Sequence, residues 1–125
     1  MNLSILRLLV GLSFLQFIII PLLKITSINY HAMVGIHLLI GIIILILSYV
    51  TMFVFKKKYS NCFGATALSG AITLQFIIGL ILYLPSSLSE SLEQILRLLH
   101  IIIGLTVLSL AVALRVRFTH KINSK

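Results

Sequence analysis

The segment that decides the fold is His100-Ile-Ile-Ile-Gly104, and the chain repeats its pattern at His37-Leu-Leu-Ile-Gly41. Each copy places a histidine four residues before a glycine, inside an apolar run of membrane-spanning length. Ionisable side chains are rare in such runs because hydrocarbon solvates them poorly, and those that occur usually serve a function. The two histidines are therefore the first candidate functional residues.

Composition and run length indicate an all-α membrane protein. Of the 125 residues, 60% are hydrophobic, whereas soluble domains average about 45–50%. A helix crosses the hydrocarbon core with about 20 residues. Four runs reach that length, at 3–23, 32–55, 62–84 and 93–114. We expect one transmembrane domain over residues 1–125, an antiparallel bundle of four helices.

The formal net charge of +8 is distributed as expected for a membrane protein. Lys56-Lys57-Lys58 lies between the second and third spans, and further basic residues follow the fourth. Basic loops favour the cytoplasmic side, which predicts a plasma-membrane protein with both termini in the cytoplasm. The charge thus indicates topology and a lipid-bilayer environment, and we expect no nucleic-acid partner.

The four spans form two copies of one helical hairpin. Gly11-Leu-Ser-Phe-Leu-Gln16-Phe-Ile-Ile-Ile20 aligns with Gly70-Ala-Ile-Thr-Leu-Gln75-Phe-Ile-Ile-Gly79 at an offset of 59, and the histidine segments align at an offset of 63. Both copies start on the same side, which predicts parallel repeats related by a pseudo-twofold axis along the membrane normal.

Four polar side chains are predicted to share one layer of the outer leaflet. With a helical rise of 1.5 Å per residue, His37, His100, Gln16 and Gln75 lie about 8–13 Å beneath the outer ends of their spans. Two imidazoles from facing helices can ligate haem iron, so His37 and His100 are the candidate metal ligands. Gln16, Gln75 or a backbone carbonyl would orient their second ring nitrogens.

The glycines and one arginine complete the candidate site. Gly41 and Gly104 lie one turn below the histidines, where a missing side chain permits close approach of a macrocycle or of a neighbouring helix. Arg97 lies one turn above His100, where it would meet a haem propionate. The alternatives for Arg97 are extension to the interface and an i, i+4 ion pair with Glu93.

The quoted segments resemble the haem A synthase family. Leu74-Gln75-Phe-Ile-Ile-Gly79, Leu99-His100-Ile-Ile-Ile-Gly104 and His37 are similar to one four-helix unit of that family, over residues 5–115. The resemblance implies a b-type haem held between histidines of the second and fourth helices. Where the family's substrate unit has a glutamate before and an arginine after its first histidine, this chain has Met33 and Leu38.

Haem b is the expected cofactor, used either for electron transfer in a respiratory membrane or for haem A formation. The sequence assigns no residue a catalytic role. It leaves open whether the protein is an electron carrier or an enzyme that forms haem A. The partners left open are a second copy of the chain and the subunits of a respiratory complex. The alternative function is that of a cofactor-free structural subunit, in which the histidines join helices by hydrogen bonds.

Overall fold

The fold is a bundle of four helices, seen in a computed structural model that describes residues 3–25, 29–58, 63–84 and 88–123, and the side chains of 4–19, 29, 31–57, 63–84 and 88–119. The helices are α1 (Leu3–Ile25), α2 (Tyr30–Lys58), α3 (Phe63–Tyr83) and α4 (Glu90–Asn123). The all-α bundle predicted from the sequence is therefore confirmed.

Three helices contain stretches long and apolar enough to cross a membrane: His31–Lys57, Phe63–Tyr83 and Glu90–Thr119. Their outward surfaces carry large apolar side chains such as Phe53, 64% exposed, and Leu98, 59% exposed. An apolar outer face is what lipid requires. In α1 the described apolar stretch Ser4–Ile19 is shorter, so the first of the four predicted spans stays a prediction.

The helices are arranged in a closed ring. In the described part of the chain, α1 contacts α2, α2 contacts α3, α3 contacts α4, and α4 contacts α1, while the diagonal pairs have no close backbone contact. The contacts between α2 and α3 show that these neighbours are antiparallel: Phe76 lies at Gly41, while Ser69, seven residues earlier on α3, donates to the backbone oxygen of Ser48, seven residues later on α2. The diagonal pairs α1/α3 and α2/α4 therefore face each other across the interior.

The buried positions repeat with the offsets of the sequence. Residues 59 apart on α1 and α3, and 63 apart on α2 and α4, are buried in pairs: Leu6 and Ala65, Leu9 and Leu68, Ser13 and Ile72, Ile44 and Val107, Ser48 and Ala111, Thr51 and Leu114, Phe55 and Phe118. The two hairpins therefore turn corresponding faces inward, as a pseudo-twofold axis requires.

Two aromatic rings close the interior at the end of the bundle opposite the histidines. Phe55 and Phe118 meet edge to face, with ring centroids 4.2 Å apart, which is a favoured geometry for an aromatic pair. Both rings are buried. The buried interior of the bundle thus extends to Phe118, four residues beyond residue 114, the predicted end of the fourth span.

Candidate functional site

His37 and His100 face each other across the bundle. They lie on the diagonal helices α2 and α4, and their ring centroids are 6.2 Å apart with an interplanar angle of 53°. Both side chains are partly buried and line the same cavity. The fold thus brings together two imidazoles that are 63 residues apart in the sequence.

The separation of the rings suits a single metal ion between them. An imidazole nitrogen binds a transition metal at about 2.0 Å, and the centre of a five-membered ring lies about 1.1–1.2 Å from its atoms. Two imidazoles that bind one metal from opposite sides therefore have centroids about 6.3 Å apart. The observed 6.2 Å matches this value. Among the described residues, no group of three or more His, Cys, Asp and Glu side chains is placed to hold a metal ion.

The two glutamines join the helices at the level of the histidines. Gln16 donates its amide to the backbone oxygen of His37 at 3.0 Å, and the amide nitrogen of Gln75 lies 3.4 Å from Nε2 of His100. The side chains predicted to share one layer are thus in contact. Their bonds differ, because Gln16 binds backbone and Gln75 binds an imidazole ring.

Three glycines leave the wall of the site without side chains. A Cβ on Gly41 would lie 3.4 Å from the Gln16 amide nitrogen, while one on Gly104 would lie 2.9 Å from the Gln75 amide nitrogen. A Cβ on Gly79 would lie 2.9 Å from Cε1 of His100. At Gly79 and Gly104 any side chain would therefore displace the groups of the site.

The cross-hairpin contacts repeat as well. Phe76 of α3 packs against Gly41 of α2, and its repeat equivalent Phe17 packs against Gly104, the equivalent of Gly41. The glycines predicted at the site thus serve helix packing directly. The same missing side chains also open the space beside the histidines.

A cavity with an empty volume of about 700 Å³, counting space open to the exterior, lies between the four helices. Side chains of every helix line it, including both histidines and both glutamines. Most of its remaining lining is apolar, as cofactor sites usually are.

Five buried polar atoms of residues that line this cavity have no hydrogen-bond partner among the described residues: Ser13 Oγ, Gln16 Oε1, Gln75 Oε1, His37 Nδ1 and His100 Nδ1. An unpaired buried polar atom costs about 1–3 kcal/mol. Their grouping around one cavity is therefore a feature that calls for an explanation, and a polar ligand is one.

Sequence reasoning missed two residues of this site. Ser13 lies three residues before Gln16, on the same helical face, and Gly79 lies four residues after Gln75. The i, i+3 and i, i+4 spacings alone would have placed both beside the glutamines.

Arg97 stands apart from the cavity. Its guanidinium forms an ion pair with Glu93, one turn earlier on α4, and its side chain is 65% exposed. The structure thus gives Arg97 the second of its expected partners. Its role toward a propionate stays a prediction.

Comparison with known proteins finds no relative of this chain. No family model, curated protein or solved structure matches the chain.

Proposed function

We propose that this chain binds one b-type haem between His37 and His100 and uses it for electron transfer in a respiratory membrane. The observation that carries the proposal is the 6.2 Å between the two ring centroids, about the distance that two imidazoles adopt on one metal ion. The pair lies on the diagonal helices α2 and α4 and lines the cavity between the four helices.

The residues around the cavity fit this cofactor. Neutral imidazoles are good ligands for haem iron, so His37 and His100 would hold it. Gly41, Gly79 and Gly104 leave backbone surface beside the rings. The two unpaired Nδ1 atoms are the positions from which axial histidines usually donate a hydrogen bond.

The chain's own residues would bind, orient and shield the group. His37 and His100 hold the iron, while Gln16 and Gln75 fix the helices that carry them. The apolar side chains of Phe17, Phe76 and other lining residues exclude water. Haem held in this way supplies a one-electron iron couple, whose potential depends on axial ligands and burial.

Electron transfer requires only one protein-bound haem iron in an apolar environment. Haem A formation, which the sequence resemblance implies, requires a second haem, and one four-helix unit offers one pair of histidines. We therefore place electron transfer first and oxidoreductase chemistry of the haem A synthase type second. The proposed setting is the plasma membrane with both termini cytoplasmic, which follows from the basic ends of α2 and α4.

A cofactor-free structural subunit of a respiratory complex is the second candidate. The observation that favours it is the pair of interhelical bonds from Gln16 and Gln75, since polar contacts of this kind join membrane helices without any cofactor.

The absorption spectrum of the purified protein in detergent separates the two. We expect a Soret band and a sharp α-band on reduction, both lost in the double variant His37→Ala/His100→Ala. His31→Ala, on an exposed position of the same helix α2, is the matched control and keeps the spectrum. A colourless wild-type protein, or a double variant with full haem content, would refute haem ligation by these residues.

Expression together with a source of haem O separates the two redox functions. Extraction of the pigment after growth is expected to give haem b alone. Recovery of haem A only when the chain is present would assign the synthase reaction instead.

A further inference from the structure

The two histidines occupy equivalent positions in the repeat, yet their rings have different surroundings. Gln16 and Gln75 are also equivalent, each facing the glycine one turn below a histidine. Gln16 donates a hydrogen bond to the backbone oxygen of His37 rather than to its ring. Gln75 lies instead against the ring nitrogen Nε2 of His100. The pseudo-symmetry is therefore broken at the imidazoles.

The contact of Gln75 bears on which nitrogen of His100 is available. A side-chain amide nitrogen can only donate, so Nε2 of His100 accepts this bond in the tautomer that carries the ring proton on Nδ1. The lone pair that accepts this bond is the one that Nε2 would offer to a metal. In that tautomer His100 has to leave Gln75 before it ligates through Nε2, whereas Gln16 binds the backbone oxygen of His37 and, among the described residues, Nδ1 of His37 has no partner.

Gly79 gives space to the same ring. The Cε1 edge of His100 lies against the Gly79 backbone, where even a Cβ would come within 2.9 Å. The ring is thus bounded by α3 backbone on one edge and by the Gln75 amide at Nε2. At the residue equivalent to Gly79, the first hairpin has Ile20, so the backbone surface that receives His100 has no glycine counterpart.

We propose that Gln75 is a positioning residue that makes His37 the firm ligand and His100 the exchangeable one. This inference rests on the proposed haem site and adds that its two axial positions are inequivalent. A small neutral molecule that binds iron on the His100 side would compete with an imidazole that is also hydrogen-bonded to Gln75. The site would then bind an exogenous ligand that a symmetric pair of free histidines would exclude.

Haem content of single variants tests the inequivalence. His37→Ala leaves only the restrained ligand and is expected to retain about twofold to tenfold less haem than His100→Ala, which is the ratio given by one hydrogen bond. Adding Gln75→Met to His37→Ala should raise haem retention to the level of His100→Ala. Gln94→Met, on an exposed position of α4, is the matched control and should leave retention in His37→Ala unchanged.

A second measurement keeps the wild-type histidines. The reduced wild-type protein is expected to bind carbon monoxide, used as the probe, and Gln75→Met should weaken that binding by about twofold to tenfold because His100 rebinds more easily. Equal haem retention in the two histidine variants, with no effect of Gln75→Met on carbon monoxide binding, overturns the inference while haem ligation stands. A wild-type protein without haem overturns the proposed function itself.

Discussion

Gly79→Ala tests whether the position of the His100 ring matters for the cofactor. The added Cβ would lie 2.9 Å from Cε1 of His100, about 0.5 Å closer than the 3.4 Å at which ordinary contact begins. The ring must therefore move by about 0.5 Å. The new methyl group would occupy space that the ring edge now uses, and metal–ligand distances vary by only about 0.2 Å, so His100 would have less room to reach a ligating position. We expect haem content to fall toward that of His100→Ala.

The assay is the haem-to-protein ratio of the purified variant, measured together with its thermal unfolding in detergent. Gly70→Ala on the same helix is the matched control, because a Cβ there meets nothing within 4 Å. Alanine in place of glycine raises helix stability by up to about 1 kcal/mol, so the Gly70→Ala protein should unfold at a higher temperature and keep its haem. Gly79→Ala protein with full haem content would refute the argument from ring position.

Three further variants test packing and the ion pair. Gly104→Ala should lower the free energy of unfolding by about 1 kcal/mol through overpacking, because its Cβ meets both the Gln75 amide at 2.9 Å and the Phe17 ring at 3.0 Å; Gly41→Ala, its repeat equivalent, should be neutral or stabilising, and equal effects would contradict the contact distances. Phe55→Ala removes a buried ring and should cost about 3 kcal/mol in thermal unfolding, whereas a change of similar size from truncating an exposed phenylalanine of the same helix would show that burial does not decide the cost. Arg97→Gln breaks an exposed ion pair and should change stability by less than about 1 kcal/mol without changing haem content; loss of haem would assign the guanidinium to a propionate.

The architecture was predictable because its determinants are local in the chain. The length of each apolar run sets the number of helices, and the spacing of Gln, His and Gly repeats at fixed offsets. Helical rise converts those offsets into a common depth. The diagonal pairing of His37 with His100 then follows from a closed ring of four helices with pseudo-twofold symmetry.

The individual partners were not predictable, because they depend on helix rotation and side-chain rotamers. Gln16 and Gln75 have the same sequence context, yet one amide reaches a backbone oxygen and the other an imidazole nitrogen. The repeat aligns Gly79 with Ile20, so the two residues differ at this position. Only the short distance between Gly79 and His100 in the structure explains the glycine.

The sequence by itself determined that this is a helical membrane protein built from a duplicated hairpin, with two histidines at one depth, since periodicity and run length are properties of the chain alone. Only the tertiary structure decided that the rings stand 6.2 Å apart and that Arg97 pairs with Glu93 beyond the cavity. A distance between helices depends on how closely side chains let backbones approach, and here that closeness comes from glycines meeting side chains of other helices.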